Sequence, residues 1–162
     1  MIASILKGQD VTFIPAGKAA GYSKYNLITS TANGNDGAGG FSFVGESFGA
    51  TTTYRVTASF DGGTTFNNIP SATATTGTWN NNGLFTTDGA GEMQIAFAHS
   101  RLTSMANWPG SVNSGTINLR VTNIATGTHH PGPAGSQFTL DLVRPSVAVS
   151  YTHLRAHETM AH

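Results

Sequence analysis

Acid–base chemistry needs two carboxylates brought together, or a carboxylate beside an imidazole. Ahead of residue 149 the carboxylates are Asp10, Asp36, Asp61, Asp88, Asp141, Glu46 and Glu92. Four of the Asp fall in or beside turn sequences, where bonding to local backbone N–H groups accounts for them. Asp141 and Glu46 fall on strand sequences and are expected to face solvent. No two of these groups have the placement of a general acid and its base. His99 could belong to a Ser-His-Asp triad, but no Gly-x-Ser-x-Gly elbow exists to present a Ser. Beside Ser100 and Arg101 at a strand end, it reads as a surface or partly buried residue. No catalytic residue is assigned, and the chain is expected not to be an enzyme.

Metal chemistry is equally thin. There is no Cys, so neither a thiolate nucleophile nor a Cys-ligated zinc can form. His129-His130 precede Pro131 as a turn pair, without third and fourth ligands in reach. His157-Glu158-Thr159-Met160-Ala161-His162 has the look of a zinc-protease helix. That motif needs its second His four positions after the first, and Ala161 stands there. Asn33, Asn35 and Asp36, or Asp88 with Glu92, carry the hard oxygens that calcium prefers. Their spacing matches no EF-hand, and turn formation explains them. No cofactor or metal is expected, and calcium is the one ion whose ligand chemistry is present.

Two indoles are the remaining candidates for recognition. Trp79 sits among Thr78, Asn80, Asn81 and Asn82, and Trp108 sits in Asn107-Trp108-Pro109-Gly110. Both are expected in loops. Indoles beside amides suit sugar-stacking surfaces and protein interfaces. The alternative is that each folds back to plug one end of the fold.

The elements that position these groups read as β. Thr, Gly, Ser and Asn supply 69 of the 162 residues, whereas Lys and Glu supply three each. Helical bundles and coiled coils are thereby excluded. Thr53–Phe60 alternates, with Tyr54, Val56, Ala58 and Phe60 on one face and Thr53, Arg55, Thr57 and Ser59 on the other. Period two with a polar outer face marks a half-buried antiparallel strand. Glu92–His99, Thr116–Asn123 and Gln137–Val143 repeat the pattern. Shorter candidates are Val11–Ile14, Tyr25–Ile28, Phe41–Val44 and Leu84–Thr86. Turn sequences separate them, among them Asp61-Gly62-Gly63, Asn80-Asn81-Asn82-Gly83 and Pro131-Gly132-Pro133. Asp36-Gly37-Ala38-Gly39 and Asp88-Gly89-Ala90-Gly91 echo one another, each ahead of an inward-alternating strand. The expected fold is an all-β, antiparallel two-sheet β-sandwich of about seven or eight short strands, Ig-like or jelly-roll in connectivity.

Charge and hydropathy narrow the partners. Lys+Arg 8 balances Asp+Glu 8, which leaves no electrostatic footprint for nucleic acid. The apolar start Ile2, Ala3, Ile5, Leu6 stops at Lys7, too short for a secretory signal. No run approaches the roughly 18 apolar residues of a membrane span. Neither nucleic acid nor membrane is an expected partner.

Three resemblances follow. Ser59-Phe60-Asp61-Gly62-Gly63-Thr64-Thr65-Phe66 resembles the Asp-box hairpin of bacterial sialidases and related propellers, with Phe66 in place of Trp. The resemblance implies a structural turn built by Ser59, Asp61, Gly63, Thr65 and Phe66, with the aromatic packed beneath. It does not imply glycosidase activity, since a propeller carries several boxes and this chain has one. Gly45-Glu46-Ser47-Phe48-Gly49-Ala50-Thr51-Thr52-Thr53-Tyr54-Arg55-Val56 leads into that turn, and Thr116–Val121 follows later. Over roughly 43–123 this looks like the small β-sandwich accessory proteins of tailed-phage virions. Departures are the single Gly49 before Ala50, Phe66, and a long segment from Asn80 to Asn113. Finally, Ser150–Thr159 resembles the peptide read when a sequencing-library adapter is translated in frame. The expected domain is therefore 1–148, and 149–162 is expected to be a poorly packed, artefactual tail.

These readings set the functional expectation. It is a non-enzymatic capsid, neck or tail module, assembled in the host cytoplasm, that contacts other virion proteins or itself. The alternative is a carbohydrate-binding module of a surface or secreted protein, with glycans held by Trp79 or Trp108.

Overall fold

A computed structural model describes residues 9–26, 39–109 and 114–142. The long alternating runs become strands. These are β1 (Asp10–Pro15), β2 (Lys24–Asn26), β3 (Gly40–Glu46), β4 (Thr53–Ser59), β8 (Leu84–Thr86), β9 (Met93–Ala98), β10 (Ser114–Asn123) and β12 (Ser136–Asp141). Four further strands raise the number above seven or eight: β5 (Asn67–Asn68), β6 (Thr73–Thr76), β7 (Thr78–Trp79) and β11 (His129–His130). They are too short to carry a period. His129-His130 is thus a strand, not a turn pair, and Trp79 lies on a strand, not in a loop.

Two sheets form. One has the order β1-β3-β9-β6. The other runs β2-β12-β10-β4-β8-β7, with β11 beside β10 and β5 beside β4. The expected all-β two-sheet sandwich is present, with pairing antiparallel except between β2 and β12, which run parallel. The two copies of the Asp-Gly-Ala-Gly echo precede β3 and β9, which are neighbours in the smaller sheet with Phe43 opposite Ile95. Asp36–Ala38 of the first copy lie outside the described residues, as do Asn33, Asn35 and the segment 149–162 with its His157–His162 motif.

The core is the space between the sheets, and aromatic rings fill it. Phe41 of the smaller sheet stacks on Tyr25 at 4.6 Å and meets Phe138 edge-on at 4.9 Å, both from the larger sheet. Phe43 meets Phe85 across the gap at 5.8 Å. Such offset and edge-on pairs add to the gain from burying the rings. Tyr54, Val56 and Ala58 of β4 and Ile117, Leu119 and Val121 of β10 are fully buried, as their alternation required. At its C-terminal end β4 departs from the pattern. Thr57 and Ser59, expected in solvent, are buried, because later segments of the chain lie over that face.

After β9 the chain makes one short helix, α1 (His99–Thr103), whose Leu102 is buried. His99 opens this helix rather than ending a strand, and its backbone N–H bonds Gly39 O at 2.7 Å.

Candidate functional site

The Asp61 turn forms through local bonds. Ser59 Oγ donates to Asp61 Oδ1 at 2.6 Å and accepts from the Gly63 N–H at 3.0 Å. The same carboxylate accepts from the N–H groups of Thr64 at 3.1 Å and Thr65 at 2.8 Å. Gly62 and Gly63 take positive φ, 73° and 86°, which lets the chain wrap around the carboxylate. These donors, Ser59 first, hold the Asp61 carboxyl well below the usual carboxylate range. A carboxylate so held is committed to the turn and is a poor proton carrier near neutral pH.

The turn folds over the outer face of the larger sheet. Ser59 stands opposite Asn118, and Thr57 opposite Arg120, in the β4–β10 register. Asn118 Nδ2 donates to Ala134 O at 3.0 Å, which ties the segment before β12 to the same patch. Phe66 lies beneath the Arg120 guanidinium, 3.6 Å from the ring centre. That geometry is a cation–π contact. Sequence reasoning placed an aromatic under the turn but gave Arg120 no role. The alternation of β10 was the one signal available, since it sends Arg120 and Asn118 to the same face. Thr57 Oγ1, Asn118 Oδ1 and Arg120 Nε are buried there without a protein partner.

A second turn joins β8 to β9 and bonds to the loop between β3 and β4. Asp88 Oδ1 accepts from the N–H groups of Ala90 at 2.9 Å and Glu92 at 2.8 Å. Turn bonding thus engages one of the two Asp88 carboxylate oxygens. Among the described residues no group of three or more His, Asp or Glu is placed to hold a metal. Thr87, which the sequence did not single out, is buried. Its hydroxyl accepts from the Thr52 N–H at 3.0 Å and donates to Gly49 O. These bonds fasten the loop that follows β3.

Both tryptophans are half-buried and pack against the core. Trp79 stands opposite Phe85 in the β7–β8 register, and so shares its core-facing side. Its Nε1 is buried without a partner. Trp108 meets Phe60 at 5.0 Å and His99 at 5.7 Å, both edge-on. His99 Nδ1 in turn shares a 2.8 Å hydrogen bond with the hydroxyl of buried Tyr25. Trp108 thus closes one end of the sandwich, where burial also raises the Tyr25 hydroxyl well above its ordinary range.

The paired histidines divide between the faces. His129 Nδ1 shares a 2.8 Å bond with Thr122 Oγ1. His130 meets the Phe48 ring edge-on at 5.1 Å, with its Nε2 buried and unpartnered. Burial lowers both imidazoles below 6.5, helped by Arg120 for His129 and by His129 for His130. The folded state therefore resists protons that the unfolded chain accepts. Stability is expected to be full above about pH 6.5 and to fall as the pH drops below it. Denaturant titrations at pH 7.5 and pH 5 check this, and the difference should shrink in His130→Gln.

For Asp61 the sign is the same over a lower window. Its folded value lies below the unfolded one, so its contribution is present above about pH 4 and fades as pH falls further. Asp61→Ala is expected to lower the melting temperature by a few degrees at pH 7, with Asp61→Asn in between. Thermal unfolding of the three proteins reads this. An unchanged melting temperature would contradict the structural role.

Comparison with family models, curated proteins and solved structures finds no match to this chain.

Proposed function

We propose that this chain is a non-enzymatic structural or accessory module of a tailed-phage virion that works through protein–protein contacts. One observation carries the reading: the groups with chemical potential are used by the fold itself. Asp61 and Asp88 are bound into turns, and Trp79 and Trp108 into the core margin. What remains for partners is the polar outer surface of two sheets, rich in Thr and Asn. Such surfaces and their strand edges suit docking against neighbouring chains. The resemblance over roughly 43–123 to virion accessory proteins supplies the phage context.

Antibody labelling of purified particles from the source phage, viewed by electron microscopy, tests this. Label at repeated positions on the particle is expected. A glycan array addresses the carbohydrate-binding alternative. Binding lost in Trp79→Ala or Trp108→Ala, with no label on particles, would replace the virion reading.

A further inference from the structure

Buried polar atoms in folded chains are normally hydrogen-bonded, so those that lack a protein partner need a physical account. Thr57 Oγ1, Asn118 Oδ1 and Arg120 Nε are three such atoms, and they are neighbours. Thr57 stands opposite Arg120 in the β4–β10 register, and Asn118 lies two residues before Arg120 on the same strand. Residues so related project from one face of a sheet. Two of the side chains are almost wholly enclosed, with Thr57 5% and Asn118 2% exposed. None of the three atoms bonds to another. Side chains directly opposite or diagonal in an antiparallel pair sit within reach of one bridging molecule, which spans about 5.5 Å between the groups it joins.

The cover over this patch is built from the Asp61 turn and the segment before β12. A Cβ placed on Gly63 would lie 3.4 Å from both Asn118 Nδ2 and the Ala134 carbonyl oxygen, so the turn rests directly on Asn118. Phe66 lies against the guanidinium. The remaining polar atoms of these side chains are already committed. Asn118 Nδ2 donates to Ala134 O, and Arg120 Nη1 donates to Pro133 O. Neither side chain can turn to find another partner without breaking a bond it has. The three atoms also define what they can bind. Arg120 Nε–H only donates, Asn118 Oδ1 only accepts, and the Thr57 hydroxyl does either. A cation has no lone pair for the Arg120 donor and would sit against a guanidinium charge. A halide or other simple anion has no hydrogen for Asn118. Water has both, and buried waters in proteins typically make about three hydrogen bonds.

We propose that one water molecule is bound here as a fixed part of the fold, accepting from Arg120 Nε–H, donating to Asn118 Oδ1 and sharing a hydrogen bond with Thr57 Oγ1. It joins β4 to β10 beneath the Asp61 turn, where the side chains alone do not complete the bonding. A bridging water of this kind is nearly as good as a direct hydrogen bond. The site accounts for Thr57 and Asn118, two polar side chains buried on the outward face of their strands. It is independent of the virion reading.

A crystal structure of the full chain, at a resolution that shows ordered solvent, tests it. A water within about 3.2 Å of all three atoms is expected. Direct bonds among the three side chains, or the lack of any water bonded to all three, would overturn the proposal. Oxygen-17 magnetic relaxation dispersion gives the matching test in solution, because it counts water molecules held longer than the protein takes to tumble. Thr57→Val keeps nearly the same shape and removes one of the three bonds. It should lower the dispersion amplitude by about one long-lived water relative to wild type. An amplitude unchanged in a Thr57→Val chain shown by circular dichroism to be folded would overturn the proposal. Should that variant not fold, the wild-type crystal structure decides alone.

Discussion

Phe41→Ala is expected to destabilise the fold by about 3–5 kcal/mol. Phe41 is the ring on which the two sheets meet. It stacks on Tyr25, lies 5.8 Å from Phe97 on its own sheet, and meets Phe138 edge-on. It is buried, and these neighbours belong to three different strands and cannot all follow it into the space it leaves. Truncation thus loses the transfer gain of the ring and leaves a cavity. A domain of this size has about 5–15 kcal/mol in total, so the variant should be close to its unfolding threshold at 37 °C. Urea titration checks this. A midpoint within error of wild type would mean that the sheets are not held by this cluster. Phe66→Ala, on the outer face, should cost distinctly less, because its ring is only half-buried.

Gly91→Ala should cost about 3 kcal/mol or more. Gly91 has φ 76°, a conformation that L side chains rarely adopt. A Cβ there would lie 1.9 Å from the Phe48 carbonyl oxygen, which is backbone and cannot swing aside. Phe48 is held in turn, because its N–H donates to Gly91 O at 3.0 Å and its ring packs on Tyr54. Relief of the clash must separate the loop after β3 from the Asp88 turn. That movement also exposes Thr87, whose hydroxyl joins the two. Backbone strain and a broken buried bond together account for the magnitude. Gly89→Ala, two residues earlier in the same turn with open space around it, is the control and should change stability little. Equal effects of the two substitutions would contradict the account.

The long strands were legible because period two is a property of the local sequence. Tyr54, Val56 and Ala58, and likewise Met93, Ile95 and Phe97, alternate visibly and are buried as that alternation requires. The Asp61 turn was legible for a related reason. All its bonds run between residues two to four apart, so the string Ser-x-Asp-Gly-Gly-Thr-Thr nearly contains them. Strands of two residues, such as Asn67–Asn68 and Thr78–Trp79, have no period to show. They exist because β4 and β8 offer free edges to them. The parallel pairing of β2 with β12 joins segments far apart in sequence and leaves no local mark.

The same limit explains Thr57, Ser59 and Arg120. Their alternation places them outward, and outward normally means solvent. Here the Asp61–Phe66 turn and the Ala134 carbonyl fold back over that face, and only tertiary structure records this. Trp79 was read from its Asn- and Thr-rich surroundings as a loop residue, whereas Trp108 does lie in a loop, as expected. Register against Phe85 turns Trp79 inward, and Phe60 with His99 holds Trp108 at the end of the sandwich.

The central claim is that this sandwich is a building block of a particle. Mass spectrometry of density-purified particles, with quantified peptides from the segment 56–101, tests it most directly. The account predicts those peptides in the particle fraction at many copies per particle, retained through a high-salt wash that strips adsorbed protein. Peptides found only in the soluble fraction would contradict it.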